Sequence, residues 1–187
     1  MIPEESRPAK SLSAPFRQGY VQLYTGNGKG KTTAAVGLAV RAAGAGLRVF
    51  FAQFIKQGHY SEIEGLAAFG DRIVCRQYGR GRWIRGQAHE SDIVLAKRGL
   101  DEVAKVVRSG AYEVVILDEV LMATWLRMLD VDEVISLIDG KPECVELVLT
   151  GRGADARLVE RADLVTEMQE VKHYYKRGVL AREGIEG

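Results

Sequence analysis

The stretch Tyr20-Val21-Gln22-Leu23-Tyr24-Thr25-Gly26-Asn27-Gly28-Lys29-Gly30-Lys31-Thr32-Thr33 decides how this chain is read. An alternating, β-prone run leads into a glycine-rich turn. Lys31-Thr32-Thr33 then opens onto Ala34-Ala35-Val36-Gly37-Leu38-Ala39-Val40, an expected helix. Strand, glycine-rich turn and helix in that order form the context a phosphate-binding loop requires. Glycines carry no Cβ, so backbone N–H groups can turn inward around a polyphosphate, and the helix N-terminus adds unpaired donors and a positive dipole end. On this reading Lys31 is a point charge on the phosphates and the Thr32 hydroxyl is a ligand for Mg²⁺.

The spacing departs from the usual Gly, four residues, Gly-Lys-Ser/Thr. Thr25 stands where the first glycine belongs and Gly26 comes one residue late, giving Gly-x₃-Gly-Lys-Thr. The competing reading is a glycine-rich turn with a solvated lysine. Three glycines, two lysines and two threonines in this order weigh against it.

A second carboxylate-bearing element follows further on. Val114-Val115-Ile116-Leu117 reads as a buried strand that runs straight into Asp118-Glu119. Alone this is a weak signal, since many strands end in a carboxylate. Paired with the loop it forms the second half of a nucleotide site, the aspartate reaching the metal through water.

With 187 residues the chain is long enough for one α/β unit with a full core, expected over residues 19–187. Residues 1–18 carry three of the four prolines with Ser, Arg, Lys and Glu, and read as a mobile arm. Twenty-six basic against twenty-five acidic residues give a net charge of +1, which supplies no global argument for nucleic acid or a membrane surface. Cys75 and Cys144 lie too far apart for a disulfide framework and are expected as buried free thiols in a reducing cytosol. No apolar run approaches the roughly eighteen residues of a membrane helix, and no signal peptide is expected, so the expected location is the cytoplasm.

The α/β alternation continues along the chain. Helices are expected from Lys31 to about Ala43, from Ser61 as cap through Phe69, from His89 to Ser109, around Met122, Trp125 and Leu126 as core, and from Asp130 with Glu133 in capping-box register. Strands are expected at Leu47 to Ile55, Ile73 to Cys75, Val145 to Thr150 and around Leu164 to Thr166. Lys56 follows one strand at the carboxyl edge, where open α/β sheets bind ligands, and Gly151-Arg152-Gly153 follows another. Residues 72–89 break the pattern with five arginines, and Tyr78 to Gly86 reads as a basic, glycine-rich loop around Trp83.

Gly26-Asn27-Gly28-Lys29-Gly30-Lys31-Thr32-Thr33, Gln53-Phe54-Ile55-Lys56, Leu117-Asp118-Glu119, Thr150-Gly151-Arg152-Gly153, Val171-Lys172-His173 and the closing Gly178-Val179 with Gly184-Ile185 together resemble the ATP:corrinoid adenosyltransferases of the CobA/CobO/BtuR type. The resemblance runs in order from about Gly19 to Ile185, and the shortened loop is typical of that family. It implies a RecA-like P-loop NTPase fold, a mostly parallel sheet with helices on both faces, assembled as a homodimer with ATP bound in a reversed sense. The implied reaction transfers the 5′-deoxyadenosyl group of ATP to the cobalt of a reduced corrinoid, cob(I)alamin or a precursor, and releases tripolyphosphate, in adenosylcobalamin synthesis or salvage.

On this resemblance ATP is held by Thr25, Gly26, Asn27, Gly28, Lys29, Gly30, Lys31, Thr32, Thr33, Lys56 and Arg152. Lys31, Thr32, Asp118 and Glu119 carry the reaction, and Mg²⁺ sits on Thr32, Asp118 and Glu119. An electron donor, flavodoxin or a flavin reductase, supplies Co(I). The family's Gly-Phe-Thr-Trp segment falls on Gly79-Arg80-Gly81-Arg82-Trp83, so Trp83 keeps one aromatic while the Phe position falls on Gly81 or Arg82. Gly81, Arg82 and Trp83 are the expected corrinoid contacts.

Cob(I)alamin is a nucleophile with no proton on the attacking metal, so no Ser/His/Asp or Cys/His arrangement is needed, and His59, His89 and His173 form none. Two other readings compete. A P-loop small-molecule kinase or ATPase could use Asp118-Glu119 with the arginines of residues 76–85 as a lid. A RecA-like single-stranded nucleic-acid module could grip its strand with Arg80, Arg82, Arg85 and Trp83. The near-neutral net charge weighs against the second.

Overall fold

In the computed structural model, which describes residues 18–81, 84 and 86–186, β1 (Val21–Thr25) feeds the glycine-rich turn and α1 (Lys31–Gly44). The expected arm, residues 1–18, lies outside the described residues apart from Gln18. β2 (Val49–Ile55), α2 (Ser61–Ala67), β3 (Ile73–Gly79), α3 (Glu90–Ser109) and β4 (Val114–Asp118) follow. The chain then runs through α4 (Val120–Trp125), α5 (Val131–Asp139), β5 (Glu146–Thr150), α6 (Ala156–Arg161) and β6 (Leu164–Glu167).

All six strands are parallel, in the order β3-β2-β4-β5-β1-β6. This is the α/β, RecA-like arrangement, in which β5 separates the strand entering the glycine-rich turn from the strand ending in Asp118. Every strand therefore delivers its carboxyl end to the same edge, where a site can be assembled from several loops.

Strand alternation sorts the core into two layers. Val49, Phe51, Val114 and Ile116 point to the face covered by α1 and α2, where they meet Ala35, Ala39 and Leu66. Phe50, Ala52, Phe54, Val115 and Leu117 point to the opposite face, against Leu100, Val103, Leu121, Val134 and Leu158 of α3 to α6. Both faces being covered explains why the central strands are apolar throughout rather than alternating. The buried apolar contacts of α1 are Ala35, Ala39, Ala42 and Ala43, small side chains that let the helix lie close on the sheet.

Local capping follows the sequence closely. The His89 ring accepts from the Ser91 N–H, Asp92 accepts from the His89 N–H at 3.2 Å, and Gly110 closes α3 in the left-handed region at φ 61°. Asp130 and Glu133 form the expected capping box of α5.

Several expectations change. β3 runs four residues past Cys75, because Gln77 bonds to Gln53 and Tyr78 packs on Phe54 with ring centroids 5.5 Å apart. Trp125 is not core: it is 62% exposed, and α4 buries Val120, Leu121 and Ala123 instead, with Met122 and Leu126 half-buried. Ser61 is the first residue of α2 rather than its cap, which is Tyr60. The two free cysteines are half-buried, and burial pushes the Cys75 thiol up to about 11. Among the described residues no helix is long and apolar enough to cross a membrane.

Candidate active site

The glycine-rich turn is shaped by its neighbours as well as by its own residues. Gly26 and Gly30 adopt φ values of 96° and 122°, open only to residues without a Cβ. The Met168 N–H donates to the Thr25 carbonyl at 2.9 Å and the Gly28 N–H donates to the Met168 carbonyl at 2.6 Å, clipping the turn to the chain leaving β6. A Cβ on Gly28 would come within 2.8 Å of that same carbonyl oxygen. Lys31 is 7% exposed and folds back over the turn, donating to the Gly26 carbonyl at 2.7 Å and the Gly28 carbonyl at 2.8 Å. Burial lowers its pKa, with Arg152 adding to the shift against the pull of Glu119 and Asp118. Two neutral carbonyls hold this ammonium, so an anion entering the turn meets a cation with no carboxylate of the described residues in contact.

Asp118 is fully buried at the end of β4 and saturated with donors. Its Oδ1 accepts from the Thr32 hydroxyl at 2.8 Å and the Thr150 hydroxyl at 2.7 Å. Its Oδ2 accepts from Gln53 Nε2 at 3.2 Å and Lys56 Nζ at 3.3 Å. Glu119 turns out of the strand with φ 62°, its N–H donating to the Thr150 hydroxyl oxygen at 3.0 Å. Burial and the adjacent Asp118 raise the Glu119 pKa against Lys56, Lys31 and Arg152. Lys56 stands in the opposite situation. Burial pulls its pKa down, but Asp118, Glu62 and Glu119 outweigh it and leave the ammonium above its ordinary value.

These groups surround a cavity of about 550 Å³ at the carboxyl edge of the sheet. Of the residues expected at a nucleotide site, Asn27 to Thr33, Lys56, Glu119 and Arg152 line it. Thr25 ends β1, and Gly26 and Asp118 stand behind the lining, where they hold Lys31 and Thr32. Gly81 does not reach this cavity: it is exposed and packs its backbone against the Gln57 carbonyl. Arg82 and Trp83, the other expected corrinoid contacts, lie outside the described residues.

The structure adds residues that the sequence reading did not assign to the site. Gln53 and Thr150 serve Asp118, and Glu62 faces Lys56 at 3.4 Å. Gln53 and Thr150 stand in the motifs of the family resemblance without a role, and Gln53 is also a lone amide inside the apolar run of β2. The C-terminal segment folds back so that His173, Gly184, Ile185 and Glu186 form one wall of the cavity. Val171-Lys172-His173 and Gly184-Ile185 mark that segment as part of the family resemblance, without a place in the site.

The donor set suits a hard cation. The Thr32 hydroxyl and Glu119 carboxylate supply oxygen at the cavity, and Mg²⁺ characteristically takes few protein ligands and completes its shell with water and phosphate. Asp118, with four donors already on its two oxygens, fits the role of aligning Thr32 rather than binding metal directly. Among the described residues no group of three or more His, Cys, Asp or Glu side chains converges as a self-sufficient metal site.

The family model for ATP:corrinoid adenosyltransferase BtuR/CobO/CobP matches residues 17–187. The chain belongs to this family. Among similar adenosyltransferases, the corrinoid adenosyltransferase of Pseudomonas aeruginosa is 34% identical over 95% of this chain and 88% of its own length. That of a Sinorhizobium species is 36% identical over 90% of this chain and 80% of its own length. The Escherichia coli K12 adenosyltransferase is 32% identical over 98% and 93% respectively. Similarity across nearly the whole adenosyltransferase chain takes in both halves of the site, the turn at 26–30 and the β4 and β5 ends.

Proposed function

We propose that this chain transfers the 5′-deoxyadenosyl group of ATP to the cobalt of a reduced corrinoid, cob(I)alamin or a precursor, and releases tripolyphosphate. The observation that carries this reading is the meeting of Lys31, Lys56 and Arg152, from three separate elements, on the one cavity that the glycine-rich turn also lines. In the reaction the substrate Co(I) donates an electron pair to C5′. The cobalt–carbon bond forms as the bond from C5′ to the α-phosphate oxygen breaks, and that bond's electron pair leaves on the tripolyphosphate. The attacking atom carries no proton, so the demand on the protein is placement of C5′ and stabilisation of the departing anion.

The chain's own residues match that demand. Phosphate oxygens would replace the Gly26 and Gly28 carbonyls on Lys31, with Lys56 and Arg152 adding charge. Thr32 and Glu119 would hold Mg²⁺, which when bound supplies further neutralisation of the leaving group. Asp118 keeps the Thr32 hydroxyl in place, and Gly81, Arg82 and Trp83 are assigned to the corrinoid. The same reading includes a homodimer in the cytoplasm and an external reductant, flavodoxin or a flavin reductase, that delivers Co(I).

The test is incubation with ATP, Mg²⁺ and chemically reduced cobalamin, following the light-sensitive alkylcobalt spectrum and the phosphate products. One tripolyphosphate per adenosylated corrinoid is expected, with little ADP. Rapid ADP formation from ATP alone, with no alkylcobalt product, would replace this reading with a kinase or ATPase.

A further inference from the structure

Gln53 is out of character for its strand. It is fully buried in the otherwise apolar run of β2, and its side chain makes three hydrogen bonds. The sheet register aligns it with Gln77 of β3 on one side and Asp118 of β4 on the other, so three polar side chains form one row across neighbouring strands. The direction of the row is set at its outer end. The Gly58 N–H, which can only donate, gives to Gln77 Oε1 at 3.1 Å. Gln77 therefore presents its NH₂ group to Gln53 Oε1 at 3.0 Å. Gln53 in turn presents its own NH₂ group to Glu62 Oε1 at 3.1 Å and Asp118 Oδ2 at 3.2 Å.

Lys56 closes the arrangement by contacting the same two oxygens, Asp118 Oδ2 at 3.3 Å and Glu62 Oε1 at 3.4 Å. Two carboxylates brought this close repel unless donors stand between them. An ammonium has three N–H groups. Two directed at Asp118 and Glu62 leave one for a ligand, and its direction is dictated by the other two. Lys56 and Glu62 both line the cavity, whereas Gln53 stands behind it.

We propose that Gln53 is a positioning residue for the nucleotide: by holding Asp118 and Glu62 side by side it fixes Lys56, so that the remaining N–H meets a phosphate oxygen. Gln53 itself touches no ligand. The proposal rests on reading the cavity as the ATP site, and it adds to that reading a defined route by which a buried amide controls a cation at the cavity.

A double-mutant cycle on the full chain tests it, reading the dissociation constant for Mg·ATP by calorimetry and, separately, kcat for alkylcobalt formation. Gln53→Leu keeps the volume and removes the donor. Alone it is expected to weaken Mg·ATP binding about fivefold, and in a Lys56→Met background less than about twofold, because the lysine through which it acts is gone. A residue that merely supports the fold would weaken both backgrounds alike, so equal factors overturn the proposal. Should Gln53→Leu fail to fold, Gln53→Met, an unbranched side chain of similar length without the donor, enters the same cycle with the same expectation. Mg·ATP binding without alkylcobalt product would sink the transfer reaction while leaving the cycle fully readable. No Mg·ATP binding by the unmodified protein would overturn both.

Discussion

At the amino edge of the sheet Glu113 and Arg48 face each other one to one, whereas at the carboxyl edge Lys31, Lys56, Asp118 and Glu119 share one crowded site. Glu113 accepts the Arg48 backbone N–H at 2.7 Å and its guanidinium at 3.0 Å. Burial pushes the Glu113 pKa up, but the hydrogen bonds from the Arg48 side chain and backbone outweigh it and hold the group below its ordinary value. The hydrogen bond to Glu113 raises Arg48 in turn. Both partners are driven toward their charged forms, as in a pair that serves stability. At the carboxyl edge Glu119 is raised and Lys31 is lowered, each driven toward neutrality. That arrangement costs stability, and it suits groups that await charge from outside, a phosphate for Lys31 and a cation for Glu119.

The largest effect expected from this contrast is at Lys31. Lys31→Ala should remove about 3–4 kcal/mol of transition-state stabilisation, roughly a 10²–10³-fold loss in kcat/KM, with the fold intact by circular dichroism. Near-normal turnover in the folded variant would break the comparison at its main point.

Asp118 is held differently at the same edge, since four donors satisfy it. Asp118→Asn must set an NH₂ group against donors on one side or the other. It should cost about 3 kcal/mol in denaturant unfolding, together with activity. A variant as stable as the parent would show that the four-donor arrangement does not hold the site.

Glu119→Gln should divide stability from activity. Removing a carboxylate that burial and Asp118 disfavour should raise unfolding free energy by about 1 kcal/mol, while the Mg²⁺ concentration needed for half-maximal turnover increases. Excess chelator should stop the unmodified enzyme. A loss of stability in this variant would place Glu119 with Glu113 instead.

The smallest effect is expected at the amino edge. Glu113→Gln should cost less than about 1 kcal/mol at neutral pH, since half of the Arg48 side chain is exposed. The sign with pH follows from the lowered pKa. The contribution is complete above the ordinary glutamate value of about 4.3 and is lost as pH falls through the lower folded value. Urea midpoints of variant and parent should therefore converge in acid, and a gap that persists or widens there would contradict the assignment.

Local residue patterns alone determined most of the architecture. Apolar runs of strand length, the helical periodicity of α3, the capping residues Asp130 and Glu133, and the Gly-Lys-Thr opening of α1 each act over a few neighbouring residues, so they are legible without knowing what packs where. For the same reason Lys31, Thr32, Lys56, Glu119 and Arg152 could be placed at strand ends, and parallel strands bring those ends to one edge. Tertiary structure alone decided which groups meet. Gln53, Gln77 and Asp118 form a row because β2 lies between β3 and β4 in one register. Glu119 rather than Asp118 reaches the cavity because donors from three other segments surround Asp118. Trp125 is exposed beside the β5 loop, and the last residues fold back onto the turn, neither of which the periodicity of its own segment specifies. Periodicity reports which side of its own element a residue occupies. The partner across the gap is set by strand order, register and chain return, which depend on every other element at once.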